Sequence, residues 1–393
     1  MKLKVFLILI FFWTIETNAQ TNVLFQDLAN MNFQRGLISS TSNDNFLFVC
    51  HGFSPTVSYT TEIEKYDILN NQWSIFTNST IGKRWPSSEI IGSYLYLFNG
   101  SIPHTTSSPA YNDKLEKIDL QTGSITFLAN NPYPVRSAGN CVWNNEIYFF
   151  GGRGANGYSN KLVKYNVAND QWSVLSDMPI AKETRGEVVN GKIYVIGGWN
   201  DSVSNSIDVY DIQTDSWQHL LDMPNGVSAH STAVHDNKVW IVGDYTNQTS
   251  IGYYDIAQNV YVSCVSQNMI GRRHFGAEVV GNRLYIMGGN QTPSASSALN
   301  SLQFAELETT SVVLQNEINK VKIYPNPSSK KITISTPQKI IELKINDIQG
   351  KTIIKRYNLN DLVTLDISNL IKGIYFVTIR YDKFIITKKI IKE

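Results

Sequence analysis

Short apolar runs that end in glycine or a close substitute punctuate the chain between residues 47 and 289. They read Leu47-Phe48-Val49-Cys50-His51-Gly52, Leu95-Tyr96-Leu97-Phe98-Asn99-Gly100 and Ile147-Tyr148-Phe149-Phe150-Gly151-Gly152. They return as Ile193-Tyr194-Val195-Ile196-Gly197-Gly198, Val239-Trp240-Ile241-Val242-Gly243-Asp244 and Leu284-Tyr285-Ile286-Met287-Gly288-Gly289. The last residues of successive copies lie 48, 52, 46, 46 and 45 positions apart. A period in the forties with several strands per unit predicts a β-propeller.

Each unit predicts four strands. A basic residue and a small-residue strand come first, as in Arg136-Ser137-Ala138-Gly139-Asn140-Cys141-Val142. Asn/Gly turns (Asn144-Asn145, Asn190-Gly191, Gly281-Asn282) lead into the apolar strand, because both turn residues tolerate positive φ. A third strand carries Tyr66-Asp67, Tyr165-Asn166, Tyr210-Asp211 or Tyr254-Asp255, and a fourth carries Trp73, Phe127, Trp172, Trp217 or Tyr261. Glycine suits the crowded axis and the aromatics fill the diverging periphery, so these repeated residues read as scaffold.

The pattern resembles the kelch repeat. Its best copies are residues 136–179 and 182–224, which close on Trp172…Met178-Pro179 and Trp217…Met223-Pro224. The resemblance covers roughly residues 21–308 and implies a six-bladed kelch β-propeller. His51 and Asn99 depart from the first glycine, and Asp244 from the second. No tryptophan strand follows Leu302–Glu306. Phe25 to Met31 copies the spacing of Trp172 to Met178, so the N-terminal strand is expected to complete the last blade and hide the sheet edges.

From about Ser311 the pattern becomes period-two alternation with Asp, Asn and Gly turns, which predicts a small antiparallel β-sandwich. Its Tyr324-Pro325-Asn326-Pro327, Asp347-Ile348-Gln349-Gly350-Lys351, Gly373-Ile374-Tyr375 and terminal Lys388-Lys389 resemble the type IX secretion C-terminal sorting domain of Gram-negative Bacteroidetes. That resemblance implies the type IX machinery as a partner, and transport to the outer surface followed by cleavage or attachment to a surface glycolipid. At the other end, Lys2 and Lys4, the apolar run Val5 to Trp13 and Thr17-Asn18-Ala19 predict a signal peptide. The expected organisation is signal peptide 1–19, propeller 20–310 and sorting domain 311–393. The expected location is the outer cell surface or the medium, reached through the periplasm, with no transmembrane span.

Charge and chemistry narrow the function only in part. The chain is nearly neutral at +1, which argues against nucleic acid as a partner. Residues 311–393 hold 15 Lys+Arg against 7 Asp+Glu, so they are basic and the rest is acidic. Cys50, Cys141 and Cys264 fit no zinc spacing and read as buried small hydrophobes. No phosphate loop, nucleophile elbow or zinc-binding His-Glu pattern appears. No cofactor or metal is expected, and the catalytic residues are unknown.

Kelch proteins bind ligands at the channel mouth, so the resemblance points to Arg84, Arg136, Arg153, Arg185, Trp199, Asn200, His230, Tyr245, Arg273 and Asn290 as ligand-binding candidates. Arg84, Arg136 and Arg273 each stand 16 positions before the final glycine of their copy, and Lys182 takes that place in a fourth. Such a ring of cations suits an anionic or polyhydroxylated ligand such as a carboxylated sugar. The first reading is a secreted propeller that binds a glycan or protein without catalysis. The alternative is a sugar-active enzyme like the sialic-acid mutarotases, with Arg136, Arg185, Glu187 and His230 supplying charge pairing and proton transfer. The copper site of galactose-oxidase-like relatives is not identifiable.

Overall fold

A computed structural model describes residues 21–103, 110–307, 320–348, 351–381 and 385–393. The expected signal peptide, Ser311 and the Gln349-Gly350 part of the tail motif lie outside these residues. The chain divides into two compact units, Met1–Glu308 and Thr309–Glu393.

The first unit is built from antiparallel four-stranded blades. Their innermost strands are Ser39–Ser42, Ser87–Ile91, Gly139–Trp143, Glu183–Val189, Ser231–His235 and Gly276–Val280. Each touches the next, and the last touches the first, so the six inner strands form a closed cycle around a channel. The apolar runs of the sequence are the second strands, and their side chains are almost wholly buried. Tight turns join the first two strands with both central residues in the left-handed region, as at Asn144 (φ 50) and Asn145 (φ 60). Glycine at the end of the second strand is required by close approach: a Cβ at Gly198 (φ 123) would lie 2.3 Å from the Glu183 carbonyl oxygen. His51 (φ 57) and Asn99 (φ 56) hold the same left-handed backbone where glycine is replaced.

The repeated Tyr and Trp bind blade to blade through polar contacts as well as volume. The Tyr165 hydroxyl donates to Asp170 Oδ1 (2.7 Å), and Ala129 N, on the preceding blade, donates to the same oxygen (2.8 Å). The Trp172 indole N–H donates to the Ala129 carbonyl (2.9 Å). Trp73 repeats this on Ala29 and Trp217 on Ser176. A large ring therefore fills the gap between sheets while its one polar atom holds the neighbouring loop.

The N-terminal strand Asn22–Asp27 has two partners. Phe25, Gln26 and Asp27 pair antiparallel with Ala305, Phe304 and Gln303, which completes the last blade. Asn22, Val23 and Leu24 pair parallel with Val265, Ser266 and Gln267 on the outer strand of the fifth blade. The fifth and sixth blades are thereby one continuous eight-stranded sheet, a joint that the repeat pattern does not announce.

The second unit pairs a three-stranded sheet (Lys322–Tyr324, Lys331–Ser335, Leu362–Asp366) with a four-stranded sheet (Ile340–Asn346, Thr352–Leu359, Gly373–Arg380, Ile385–Lys392). Ile332, Ile334, Leu343, Ile345, Val377, Ile379 and Ile390 form one apolar core between them. Alternate residues of each strand face this core, as period-two patterning requires. Among the described residues no helix is long and apolar enough to cross a membrane.

Candidate functional site at the channel mouth

The segment entering each innermost strand carries the basic residues of the repeat, and it places them in two layers. Arg35, Lys83 and Arg272 stand six positions before Thr41, Glu89 and Glu278, the equivalent residues of their inner strands. Their side chains turn inward. Arg35 meets Glu64 at 3.0 Å and Lys83 meets Glu116 at 2.5 Å, with all four side chains fully buried. Arg272 donates to Ser301 and Gln303. Arg84, Arg136 and Arg273 follow one residue later. In the fourth blade the segment is one residue shorter: Lys182 stands five positions before Glu187. Lys182 therefore joins the inner layer, 3.6 Å from Asp208 and buried, and not the outer ring that its distance from Gly198 implied.

A cavity of about 530 Å³ opens at the mouth beside this shortened blade. Trp85, Trp199, Tyr245 and His274 supply aromatic walls, and Glu183, Arg185, Ser228 and His230 supply polar groups. The Trp199 wall belongs to a ribbon in which the second and third strands of the fourth blade extend outward, Trp199 pairing with Glu183 on one side and Val203 on the other. Trp199 and Tyr245 remain 38% and 46% exposed, enough to meet a ligand.

The candidates of the outer ring separate here. Arg185, Trp199, His230 and Tyr245 line the cavity. Arg136 and Arg273 sit behind its walls: Arg136 stacks on Trp85 (4.4 Å) and meets Glu183 at 3.5 Å, and Arg273 stacks on Tyr245 (3.9 Å). Each guanidinium braces an aromatic wall. Arg84 stacks on Tyr59 (4.6 Å) and donates to the Ser58 carbonyl, while Arg153 stacks on Tyr158 (4.9 Å). Asn200 lies in the ribbon turn, bonded to Ser202, and buried Asn290 donates to the Thr292 carbonyl. None of these last four lines the cavity. Trp85, Glu183 and His274 do, and the sequence reading passed over them. Trp85 and His274 each follow a ring arginine directly, a signal available in the sequence.

The electrostatics are those of a neutral-histidine pocket. Burial, and then the charge of Arg185, pushes His230 down to about 3; the same causes, with Arg273 and Arg136 added, push His274 down to about 3. The Trp85 indole can only donate, so at 3.4 Å it gives its N–H to His274 Nδ1 and leaves the His274 proton on Nε2. His230 is 1% exposed and neither of its ring nitrogens completes a hydrogen bond within the protein; the Ile196 carbonyl beside it falls short of hydrogen-bond geometry. Burial raises the Glu183 carboxyl, with Arg136 as the main opposing influence. Arg185 donates to the Ala138 and Thr184 carbonyls and separates the mouth from the channel below.

That lower channel, of about 250 Å³, holds Glu89, Glu187 and Glu278 from alternate inner strands. Each accepts from the following blade: Glu89 from Asn140, Glu187 from Thr232, and Glu278 from Ser40 and Ser42. Glu187 thus lines the channel and not the mouth cavity that holds His230. Among the described residues no group of histidine, cysteine or acidic side chains could hold a metal ion, and the three cysteines are buried and unpaired.

A closed cycle of glycine-ended, tryptophan-stapled sheets with its cavity at the mouth defines a kelch-type β-propeller. The chain matches the KLHDC2/KLHL20/DRC7 Kelch-repeats domain over residues 37–244 and the secretion system C-terminal sorting domain over residues 322–393. It belongs to the kelch-repeat family and carries a type IX sorting tail. It is 30% identical to Kelch-like protein terF of Aspergillus terreus over 33% of this chain and 31% of that one. It is 26% identical to Kelch-like protein 38 of Rattus norvegicus over 67% of this chain and 46% of that one. The chain therefore spans less than half the length of either curated relative. A solved structure described as "Structure of YjhT" superposes with a TM-score of 0.61 at 15% identity, covering 70% of this chain and 96% of that one, and shares the fold.

Proposed function

We propose that this exported kelch protein is a binding module that takes a glycan in its mouth cavity and carries out no reaction on it. The observation that supports this reading is the cavity wall. Trp85, Trp199 and Tyr245 offer flat apolar faces on which sugar C–H groups stack, while Arg185, His230 and Glu183 offer the few directional polar contacts that orient a ligand. Arg136 and Arg273 hold two of the aromatic faces in place. The sorting tail indicates export to the cell surface or the medium, where such ligands are met.

A glycan array probed with the purified full chain tests the reading, together with intrinsic tryptophan fluorescence. Trp199→Ala is expected to weaken binding of any array hit by at least about tenfold, the loss expected of one well-packed aromatic contact. An array hit bound equally well by Trp199→Ala would place the site elsewhere, and binding of protein ligands alone would replace the glycan by a protein.

The sugar-mutarotase reading keeps one observation in its favour: Glu183, a carboxyl raised by burial, shares the cavity with Arg185 and His230. Acceleration of anomeric exchange on sialic acid in NMR, lost in Glu183→Gln, would turn the binding module into an enzyme.

A further inference from the structure

The backbone at the mouth is a ring with one link missing. In five blades the residue entering the innermost strand is left-handed: Leu37 (φ 59), Trp85 (φ 50), Ser137 (φ 54), Ala229 (φ 54) and His274 (φ 51). These residues hand hydrogen bonds from blade to blade. His274 N–H donates to the Ala229 carbonyl (2.8 Å), Leu37 to His274 (3.1 Å), Trp85 to Leu37 (2.7 Å) and Ser137 to Trp85 (3.3 Å). The fourth blade, one residue short in this segment, contributes no left-handed residue and shifts register between Glu183 and Arg185.

The collar therefore ends on an unused acceptor and an unused donor. Neither the Ser137 carbonyl nor the Ala229 N–H has a hydrogen-bond partner among the described residues. Both residues line the mouth cavity, where His230, with its two orphaned ring nitrogens, also sits. Unpaired backbone groups in a walled site are costly, and a ligand that satisfies them recovers that cost.

We infer that the ligand supplies the missing link with a secondary amide, its N–H donating to the Ser137 carbonyl and its C=O accepting from the Ala229 N–H. A residue in helical conformation points its N–H and C=O in opposite directions, and a trans secondary amide is a small group that does the same. The inference rests on the glycan reading of the same cavity, and so names the chemical class: an acetamido sugar, its ring against the aromatic walls and a hydroxyl on neutral His230, which offers one donor and one acceptor.

The test uses the full chain and three matched series of methyl glycosides, in the gluco and galacto configurations, bearing acetamido, O-acetyl or free amino groups at carbon 2. The ester keeps the carbonyl and removes the N–H; the amine removes the carbonyl. Acetamido sugars are expected to bind at least about tenfold tighter than either analogue in calorimetric titration, one net hydrogen bond being worth about that factor. A glycine inserted between Lys182 and Glu183 restores the six-residue spacing, and is expected to abolish this binding without lowering the melting temperature. Equal affinity across the three series overturns the inference and leaves the glycan reading standing. Binding of N-acetylglycine N-methylamide with no binding of any sugar overturns the glycan reading and the acetamido-sugar class that rests on it, and keeps only the amide link; silence of every probe overturns all of them. Undiminished acetamido binding by a folded insertion variant also overturns the inference. If that variant does not fold, the matched sugars decide alone.

Discussion

Charge is placed by pairs at the scale of single residues. The inner basic layer and the third strand change together around the ring: Arg35 with Glu64, Lys83 with Glu116, Lys182 with Asp208, Arg272 with Gln303. At the equivalent positions of the third blade stand two valines, Val135 and Val163, both buried. Removing one partner leaves an uncompensated buried charge, so Glu116→Val alone is expected to cost about 3–5 kcal/mol in urea unfolding, and the double variant Lys83→Val/Glu116→Val to regain most of it. A double variant as unstable as the single would show that the pair, and not its burial, sustains the blade. The site was legible residue by residue to a limited depth. Of the residues expected at the mouth, Arg185, Trp199, His230 and Tyr245 line the cavity. Arg84 and Arg153 do not, because a place along the chain fixes the blade position of a side chain and not whether a tyrosine beside it captures the charge; Asn200 and Asn290 do not, because each is bonded within its own loop, to Ser202 and Thr292. Lys182 misled for the opposite reason: one deleted residue moved it a layer inward.

Inner strands carry the next level of pattern. The carboxyls on every second one share a narrow channel with Arg185 as the cation of its wall. Burial raises Glu89 and Glu187 to about 8 and Glu278 to about 7, against hydrogen bonds from the following blade that act in the other direction. A carboxyl whose folded pKa exceeds its unfolded value favours folding most below that unfolded value, and the contribution drains away as pH rises through the folded one. Stability is therefore expected to fall from about pH 4.5 to about pH 8. Glu187→Gln should flatten that slope in thermal melts across pH; an unchanged slope would mean that Glu187 takes no part in it. The strand order itself was readable, since glycine-ended runs, Asn/Gly turns and the Tyr and Trp positions all recur in register. The parallel pairing of Asn22–Leu24 with the fifth blade was not, because it depends on an outer strand that runs on to Gln267, beyond the length of its counterparts. Deleting residues 21–31 should sharply lower the melting temperature, and an unchanged value would show that the ring closes without them.

The whole molecule joins a kelch propeller to a sorting tail in one chain. The tail matches a secretion sorting domain over residues 322–393 and forms a compact unit of its own. Export is expected to fail when residues 315–393 are deleted, read as loss of the protein from the medium and the cell surface with retention in the periplasm; normal export would separate the tail from the route. The clasp strand bears on the same journey. Its partners stand near residues 265 and 305, so the first segment of the propeller to be made is joined to the last. Contacts so distant in sequence form late and slowly. A chain delivered from its N-terminus must therefore keep residues 22–24 unpaired until residue 265 has emerged and residues 25–27 until residue 303 has, and any factor that holds that stretch meanwhile decides when the wheel locks.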